Sequence, residues 1–155
     1  MHPLAEKVQQ ALNALGYSGN VQELPASTRT ALEAAQALNC EIGQIVKSLV
    51  FIFSGNHQPI LLLVSGKNRV DEAKVGFVLG DEIRKATAQE VQQITGFPIG
   101  GVPPIGHLQI LPVIFDEDLL HFEIVWAAAG TPNSIFPISP TLLRDITHAR
   151  VMSVK

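Results

Sequence analysis

The stretch Gly96-Phe97-Pro98-Ile99-Gly100-Gly101-Val102-Pro103-Pro104-Ile105-Gly106-His107 can be neither a helix nor a central strand. Four glycines and three prolines in twelve positions supply positive φ values, fix others and remove three backbone donors. The segment is therefore predicted to be a shaped, rigid loop. Such a loop can cradle a ligand, which would approach the bare backbone at Gly100 and Gly101 between walls stiffened by Pro103 and Pro104. It can equally join two sheet elements, and the loop alone leaves both readings open.

Around it the chain alternates helical and strand-like patterns. Pro3 with Leu4, Val8, Leu12 and Leu15 predicts an amphipathic helix ended by Gly16. Val21–Leu24 reads as a short strand, and a second, alanine-rich helix follows with Ser27 as its N-cap. Ile45–Phe53 is β-branched and aromatic on both faces, the pattern of a central strand, and Ser54-Gly55-Asn56-His57 turns it into a partner at Pro59–Val64. A helix over Val70–Leu79, capped by Asn68 or Ser65, and a short strand at Ile83–Ala86 come next. Thr87-Ala88-Gln89-Glu90 is a capping box opening a helix that delivers the chain to Gly96. Beyond the loop, Gln109–Phe115, His121–Ala127 and Ser134–Ile138 read as strands, Ser139-Pro140 starts a short helix, and Val151–Val154 reads as a last strand. Without a regular βαβ beat, the order predicts an α+β fold, with a mixed, barrel-like sheet surrounded by helices, as one domain over residues 1–155.

Composition narrows the function classes. With 46% hydrophobic and 16% charged residues the chain is not disordered. A formal charge of −3 excludes a dense basic face for gripping a long stretch of DNA or RNA, though not contact with one nucleic-acid end. Cys40 is the only cysteine, so no internal disulfide forms and a reducing, cytoplasmic setting is expected. The longest apolar runs are far shorter than a membrane span, the first residues lack the build of a signal peptide, and no membrane partner is expected.

Few residues stand out as chemistry. Lys47 shares a strand face with Ile45, Leu49, Phe51 and Phe53, so its stem crosses apolar surroundings. Either it snorkels to solvent past the strand end, or its ammonium is held in a cleft to meet a carboxylate, phosphate or ester oxygen or, with its pKa lowered by burial, to act as a base. Ser48 points to the opposite face, which disfavours a Ser–Lys dyad. His2, His57, His107, His121 and His148 never fall at metal-ligand spacing, so neither metal nor other cofactor is expected. His107 borders the Gly/Pro loop. Asp116-Glu117-Asp118 reads as solvent-exposed partners of a helical turn's dipole rather than as catalytic acids. Gly130-Thr131-Pro132-Asn133 forms a second shaped loop, suited to orienting a polar ligand or to a plain turn.

The order of these features resembles the YbaK family of aminoacyl-tRNA deacylases, related to the editing domain of bacterial prolyl-tRNA synthetases. The resemblance runs from about residue 20 to 154 and rests on Ile45–Phe51 around Lys47, on Gly100–Gly106, and on Ala129–Asn133 followed by the Leu142-Leu143 helix. It implies a trans-editing hydrolase that deacylates misacylated tRNA, with tRNA(Pro) carrying alanine, cysteine or another small amino acid as the expected substrate. By the same resemblance Lys47 and Gly101 are catalytic. Lys47 meets the terminal nucleotide, and backbone groups around Gly101 meet the reacting carbonyl. Gly100, Val102, Pro103, Pro104, Gly106, Gly130, Thr131 and Asn133 would bind substrate. Alanyl-specific relatives often carry histidine where this chain has Thr131, which leaves the amino acid open. The implied partners are the acceptor end of aminoacyl-tRNA and an associated prolyl-tRNA synthetase or elongation factor. A module that binds such an end without turnover, and a small-molecule esterase, are the alternatives.

Overall fold

The chain is described by a computed structural model covering residues 1–155, and its frame is one eight-stranded mixed sheet. The strands are β1 (Gln22–Glu23), β2 (Ile45–Phe53), β3 (Pro59–Ser65), β4 (Ile83–Lys85), β5 (Val113–Asp116), β6 (Val125–Ala128), β7 (Ser134–Ile138) and β8 (Arg150–Met152). The helices are α1 (Pro3–Ala14), α2 (Ala31–Leu38), α3 (Glu72–Leu79), α4 (Ala88–Thr95) and α5 (Pro140–Thr147). The strand path is β1-β7-β6-β2-β3-β5-β8, with β4 added to β2. The mixed sheet flanked by helices is as expected; it is open, its terminal strands β1 and β8 remaining unpaired with each other.

The hairpin β2–β3 is the trunk, antiparallel from Val46↔Ser65 to Ile52↔Pro59. Both strands are apolar on both faces because each face is covered. Leu61 and Leu63 enter the larger core with Val8 and Leu12 of α1, Val91 of α4 and Leu143 of α5. Ile60, Leu62 and Val64 enter a second core with Val75 of α3. Burying four or five such side chains on each face contributes on the order of 2 kcal/mol apiece, which makes this hairpin the rigid reference for everything attached to it.

Several local expectations needed adjustment. Helix α2 is capped by Thr30, whose Oγ1 accepts Glu33 N–H at 3.1 Å, rather than by Ser27. Helix α3 begins after Asp71, which caps it through Lys74 N–H, so Asn68 and Ser65 are free for another task. The predicted strands at Gln109–Phe115 and His121–Ala127 shorten to β5 and β6, with a 3-10 turn over Glu117–His121 between them. The capping box of α4 forms as expected: Thr87 N–H donates to Glu90 Oε1 at 2.9 Å and Glu90 N–H to Thr87 Oγ1 at 3.2 Å. Gly96, at φ +81°, then turns the chain into the Gly/Pro loop.

Candidate functional site

Strand β2 changes neighbours along its length. On the side away from β3, Ile45 and Val46 pair with Trp126 and Ala127 of β6, whereas Phe51, Ile52 and Phe53 pair with β4. Residues 47–50 between them have no strand partner on that side, and Ala86 N–H, donating to Val50 O at 3.0 Å, closes the far end. A cavity of about 390 Å³ opens at this gap. All six residues from Ile45 to Val50 line it, because it meets the strand edge-on; a cavity over one face would see only alternate residues.

The cavity wall is mostly apolar, with Ala31 and Ala34 of α2, Ala127 and Ala128 of β6, and Ile135 of β7. Its charged groups are Arg29, Lys47 and Lys85, and no aspartate, glutamate or histidine lines it. None of the three cations is in an ion pair. Three like charges with no carboxylate on the cavity wall repel one another, so the arrangement suits an anionic ligand. Lys47 feels this directly: burial pushes its ammonium pKa below the ordinary lysine value, Lys85 and Arg69 push the same way, and Asp116 opposes them.

Lys47 is half-buried, and its Nζ donates to the carbonyl of Asn68, so it does not run out to open solvent. Beside it, Ser48 Oγ is a buried side-chain polar atom with no hydrogen-bond partner, and Ser48 also lines the cavity. Periodicity placed Lys47 correctly but gave no reason to expect that both neighbours reach one cavity; the gap in the sheet does that.

The Gly/Pro loop contributes its first turn. Gly101 N–H donates to Pro98 O at 3.0 Å, and Gly100 sits at the third position of that turn with φ +89°, where a residue without Cβ is favoured. Gly100 and Val102 line the cavity, and neither of their N–H groups makes a hydrogen bond within the chain. The donor anticipated at Gly101 is already engaged in the turn. Gly101 faces the second loop instead: its O accepts Gly130 N–H at 2.8 Å, and a Cβ there would lie 2.9 Å from the backbone of Thr131.

Gly130, Thr131 and Asn133 are not part of the cavity lining. Thr131 is buried and bonds to Ser134 Oγ at 2.5 Å, while Asn133 Nδ2 donates to Leu24 O at 3.0 Å. Thr28 Oγ1 donates to Pro132 O at 2.8 Å. The second loop thus braces both the Gly/Pro turn and the segment that carries Thr28, Arg29 and Thr30 into the cavity. Pro103, Pro104 and Gly106 also lie outside the lining. Pro103 O is joined to His107 Nε2 at 2.6 Å, which closes the end of the loop on itself. Burial, partly offset by that bond, lowers the His107 pKa below the ordinary imidazole value, with Lys7 adding to the lowering. The neutral ring is therefore favoured, with Nε2–H as the donor.

The acidic run differs from the expected solvent-exposed turn. Glu117 is exposed, but Asp116 and Asp118 are buried, 1% and 5% exposed, and both accept from Asn68 Nδ2 at 2.8 Å. Lys155 Nζ lies 2.9 Å from Asp118 and, with Asn68, holds its carboxyl at about 2. Sequence reasoning also passed over Arg29, Lys85 and Trp126. Arg29 and Lys85 look like ordinary exposed cations on a loop and a short strand, and Trp126 looks like core; only the four-segment assembly around the β2 gap brings them together.

The cavity, its unpaired cations and the two bracing loops can be set beside known proteins. Residues 25–146 match the family described as aminoacyl-tRNA editing domain. The uncharacterized protein YwhH of Bacillus subtilis is 32% identical over 132 residues, covering 85% of this chain and 83% of that protein. A proline–tRNA ligase of Lactobacillus gasseri is 39% identical over 84 residues, 54% of this chain but 14% of the ligase, so the likeness is confined to one part of that larger enzyme. The crystal structure of a proposed trans-editing enzyme for prolyl tRNA synthetase superimposes with a TM-score of 0.93 at 51% identity, covering 100% of this chain and 98% of the other. The chain belongs to the aminoacyl-tRNA editing domain family.

Proposed function

We propose that the protein is a trans-editing deacylase, which hydrolyses the ester between a small wrong amino acid and the 3′-terminal adenosine of tRNA, with tRNA(Pro) as the preferred carrier. The observation that carries this reading is the β2-gap cavity: apolar walls, three cations without a carboxylate, and a turn with two unused amides. The cations suit the phosphates and ribose of a CCA end. Small residues at Ala31, Ala34, Ala127 and Ala128 suit a short side chain.

In this reading Lys47 fixes the terminal nucleotide, and the N–H groups of Gly100 and Val102 face the acyl carbonyl. Water, held by the free hydroxyl of the substrate's own ribose, adds to that carbonyl while the hydroxyl accepts the water's proton and relays its own to the ribose oxygen that will leave. Negative charge then develops on the carbonyl oxygen, where each fixed amide donor is worth on the order of 3 kcal/mol. Collapse breaks the bond between the acyl carbon and the ribose oxygen, which takes up a proton, and releases the amino acid and a free 3′ end. Ser48 Oγ makes no hydrogen bond, and its neighbour Lys47 donates to the Asn68 carbonyl instead, so a serine nucleophile is not part of the scheme. Discrimination comes from size, at about 1–3 kcal/mol per methylene. A protein of net charge −3 grips the end of the tRNA rather than its body, and a synthetase or elongation factor in the cytoplasm is the proposed source of the remaining hold.

The lack of an acid or histidine on the cavity wall favours one alternative, a module that binds an aminoacyl end without turnover. Deacylation rates for tRNA(Pro) charged separately with Pro, Ala, Cys, Ser and 2-aminobutyrate decide between them. Faster release of small residues than of proline supports editing. Equal rates would remove the sieve, and tight binding of a non-hydrolysable aminoacyl-adenosine amide with no release would establish the alternative.

A further inference from the structure

The buried polar cluster behind the cavity has no part in the scheme above, and its wiring leads to Lys47. Asn68 occupies the turn after β3, and its side-chain amide is clamped by two carboxylates, Asp116 Oδ2 and Asp118 Oδ2, each at 2.8 Å. Asp116 is itself fixed by Ser65 N–H and Asp118 N–H, both at 3.0 Å, and Asp118 by Lys155. Asn68, Asp116 and Asp118 are all more than nine-tenths buried. Two buried carboxylates are costly, and a fold that needed only a turn here could make one from apolar residues. What the clamp fixes is the position of the Asn68 carbonyl, and that carbonyl accepts from Lys47 Nζ.

An ammonium has three donors and a flexible four-carbon stem, so alone it neither holds one direction nor resists deprotonation when buried among other cations. Lys47 feels the charges of Lys85 from β4 and Arg69 from the turn after β3, which oppose its own, and of Asp116 from β5, which favours it; Arg29, from the segment before α2, shares the cavity wall. We infer that Asn68, anchored by Asp116 and Asp118, is the positioning residue of Lys47: its backbone carbonyl accepts one ammonium N–H and so aims the other two at the ligand. This rests on the reading of Lys47 as the residue that meets substrate. The acids do not touch the ligand; they act through Asn68 and the lysine.

The test follows the lysine directly, in protein labelled with 13C-lysine, with the Lys47 Cε–Hε signal assigned by its loss in Lys47→Arg. In the wild-type protein the two Hε protons of Lys47 are expected to be inequivalent and its Cε motion restricted relative to exposed Lys67. Beyond the conservative Lys47→Arg protein used for assignment this needs no variant, and a Lys47 signal as mobile and degenerate as that of Lys67 would overturn the inference. In Asp116→Asn the midpoint of the Lys47 titration is expected to fall, because the one carboxylate that favours the ammonium is gone. In Asn68→Ala, kcat on mischarged tRNA is expected to fall about ten- to a hundred-fold with a smaller change in KM. Folded variants with an unmoved midpoint and unchanged kcat would also overturn it. Because the spectroscopic readout does not depend on turnover, a pinned Lys47 in a protein that deacylates nothing would refute the function and leave the tether standing. A freely moving Lys47 in an active deacylase would do the reverse.

Discussion

Gly130 N–H donates to Gly101 O at 2.8 Å, and the Cα of Gly101 lies so close to Thr131 that an added Cβ would meet three backbone atoms of that residue at 2.9 Å. Two loops almost thirty residues apart in sequence are thus one unit, and the side-chain-free Gly101 is the seam. A resemblance that names both loops describes one brace seen twice: the turn at Pro98–Gly101 presents Gly100 and Val102 to the cavity only because Gly130–Asn133 holds it from behind.

Gly101→Ala is therefore expected to act on the fold as much as on activity. The clash is with backbone, which cannot rotate away, so the cost is about 1–3 kcal/mol, the usual range for overpacking. Thermal unfolding should show a Tm lowered by about 2–4 °C per kcal/mol. At Gly100 the neighbour is the Arg29 stem at 2.6 Å, which can move, but φ is +89°, so Gly100→Ala carries backbone strain of about 1–2 kcal/mol instead. An unchanged Tm in Gly101→Ala would mean that the two loops are not held as one unit.

Lys47→Ala removes the charge that the scheme places on the terminal nucleotide. Since the lysine is only half-buried and ends in a cavity, truncation leaves the core intact, and circular dichroism and Tm should stay near wild type. Release of amino acid from mischarged tRNA should fall by at least about a hundred-fold, corresponding to the loss of one charge-assisted contact of about 3 kcal/mol. Full activity in a folded Lys47→Ala protein would remove this residue from the mechanism.

Arg29 and Lys85 separate phosphate recognition from recognition of the aminoacyl group. Each is exposed, unpaired and on the cavity wall, so Arg29→Ala and Lys85→Ala should each raise KM for charged tRNA about three- to ten-fold and flatten its salt dependence by about one phosphate contact. Aminoacyl-adenosine, which has no phosphate, should show no such increase. Kinetics on the two substrates at several salt concentrations provide the check, and equal losses on both would show that the cations serve the ester or the fold.

What was legible in the sequence was local or periodic. The Thr87/Glu90 box closes within four residues, and the double apolar face of β2 is visible along a single strand. The N-cap of α2 was not decidable locally, because Ser27 and Thr30 are both suitable hydroxyls; the bond from Thr28 to Pro132, about a hundred residues away, helps fix where the helix can start. The strand predicted from Gln109 begins only at Val113, in register with Leu61, since Pro112 has no N–H to offer and Ile110 is left fully exposed. Lys47 stood out as a charge on an apolar strand, whereas Arg29, Lys85 and Trp126 became site residues only through a gap between β6 and β4 that no local pattern encodes. Asp116 and Asp118 looked like ordinary acids opening a turn because their partner, Asn68, lies some fifty residues earlier.

His107 links the Gly/Pro loop to pH. Its folded pKa lies below the ordinary imidazole value of about 6.5, chiefly through burial, so the folded chain resists a proton that the unfolded chain accepts. Above that ordinary value the ring is neutral in both states and contributes no slope. As pH falls through it toward the lower folded value, the unfolded state binds more protons and stability declines. Replacing the ring in His107→Gln keeps a donor able to reach Pro103 O but cannot titrate. Comparing Tm for the two proteins from pH 8 to pH 5 should therefore show wild type losing ground to the variant on the acid side, with the gap constant above neutrality. A gap that stays constant over the whole range would show that this histidine does not resist protonation in the folded protein.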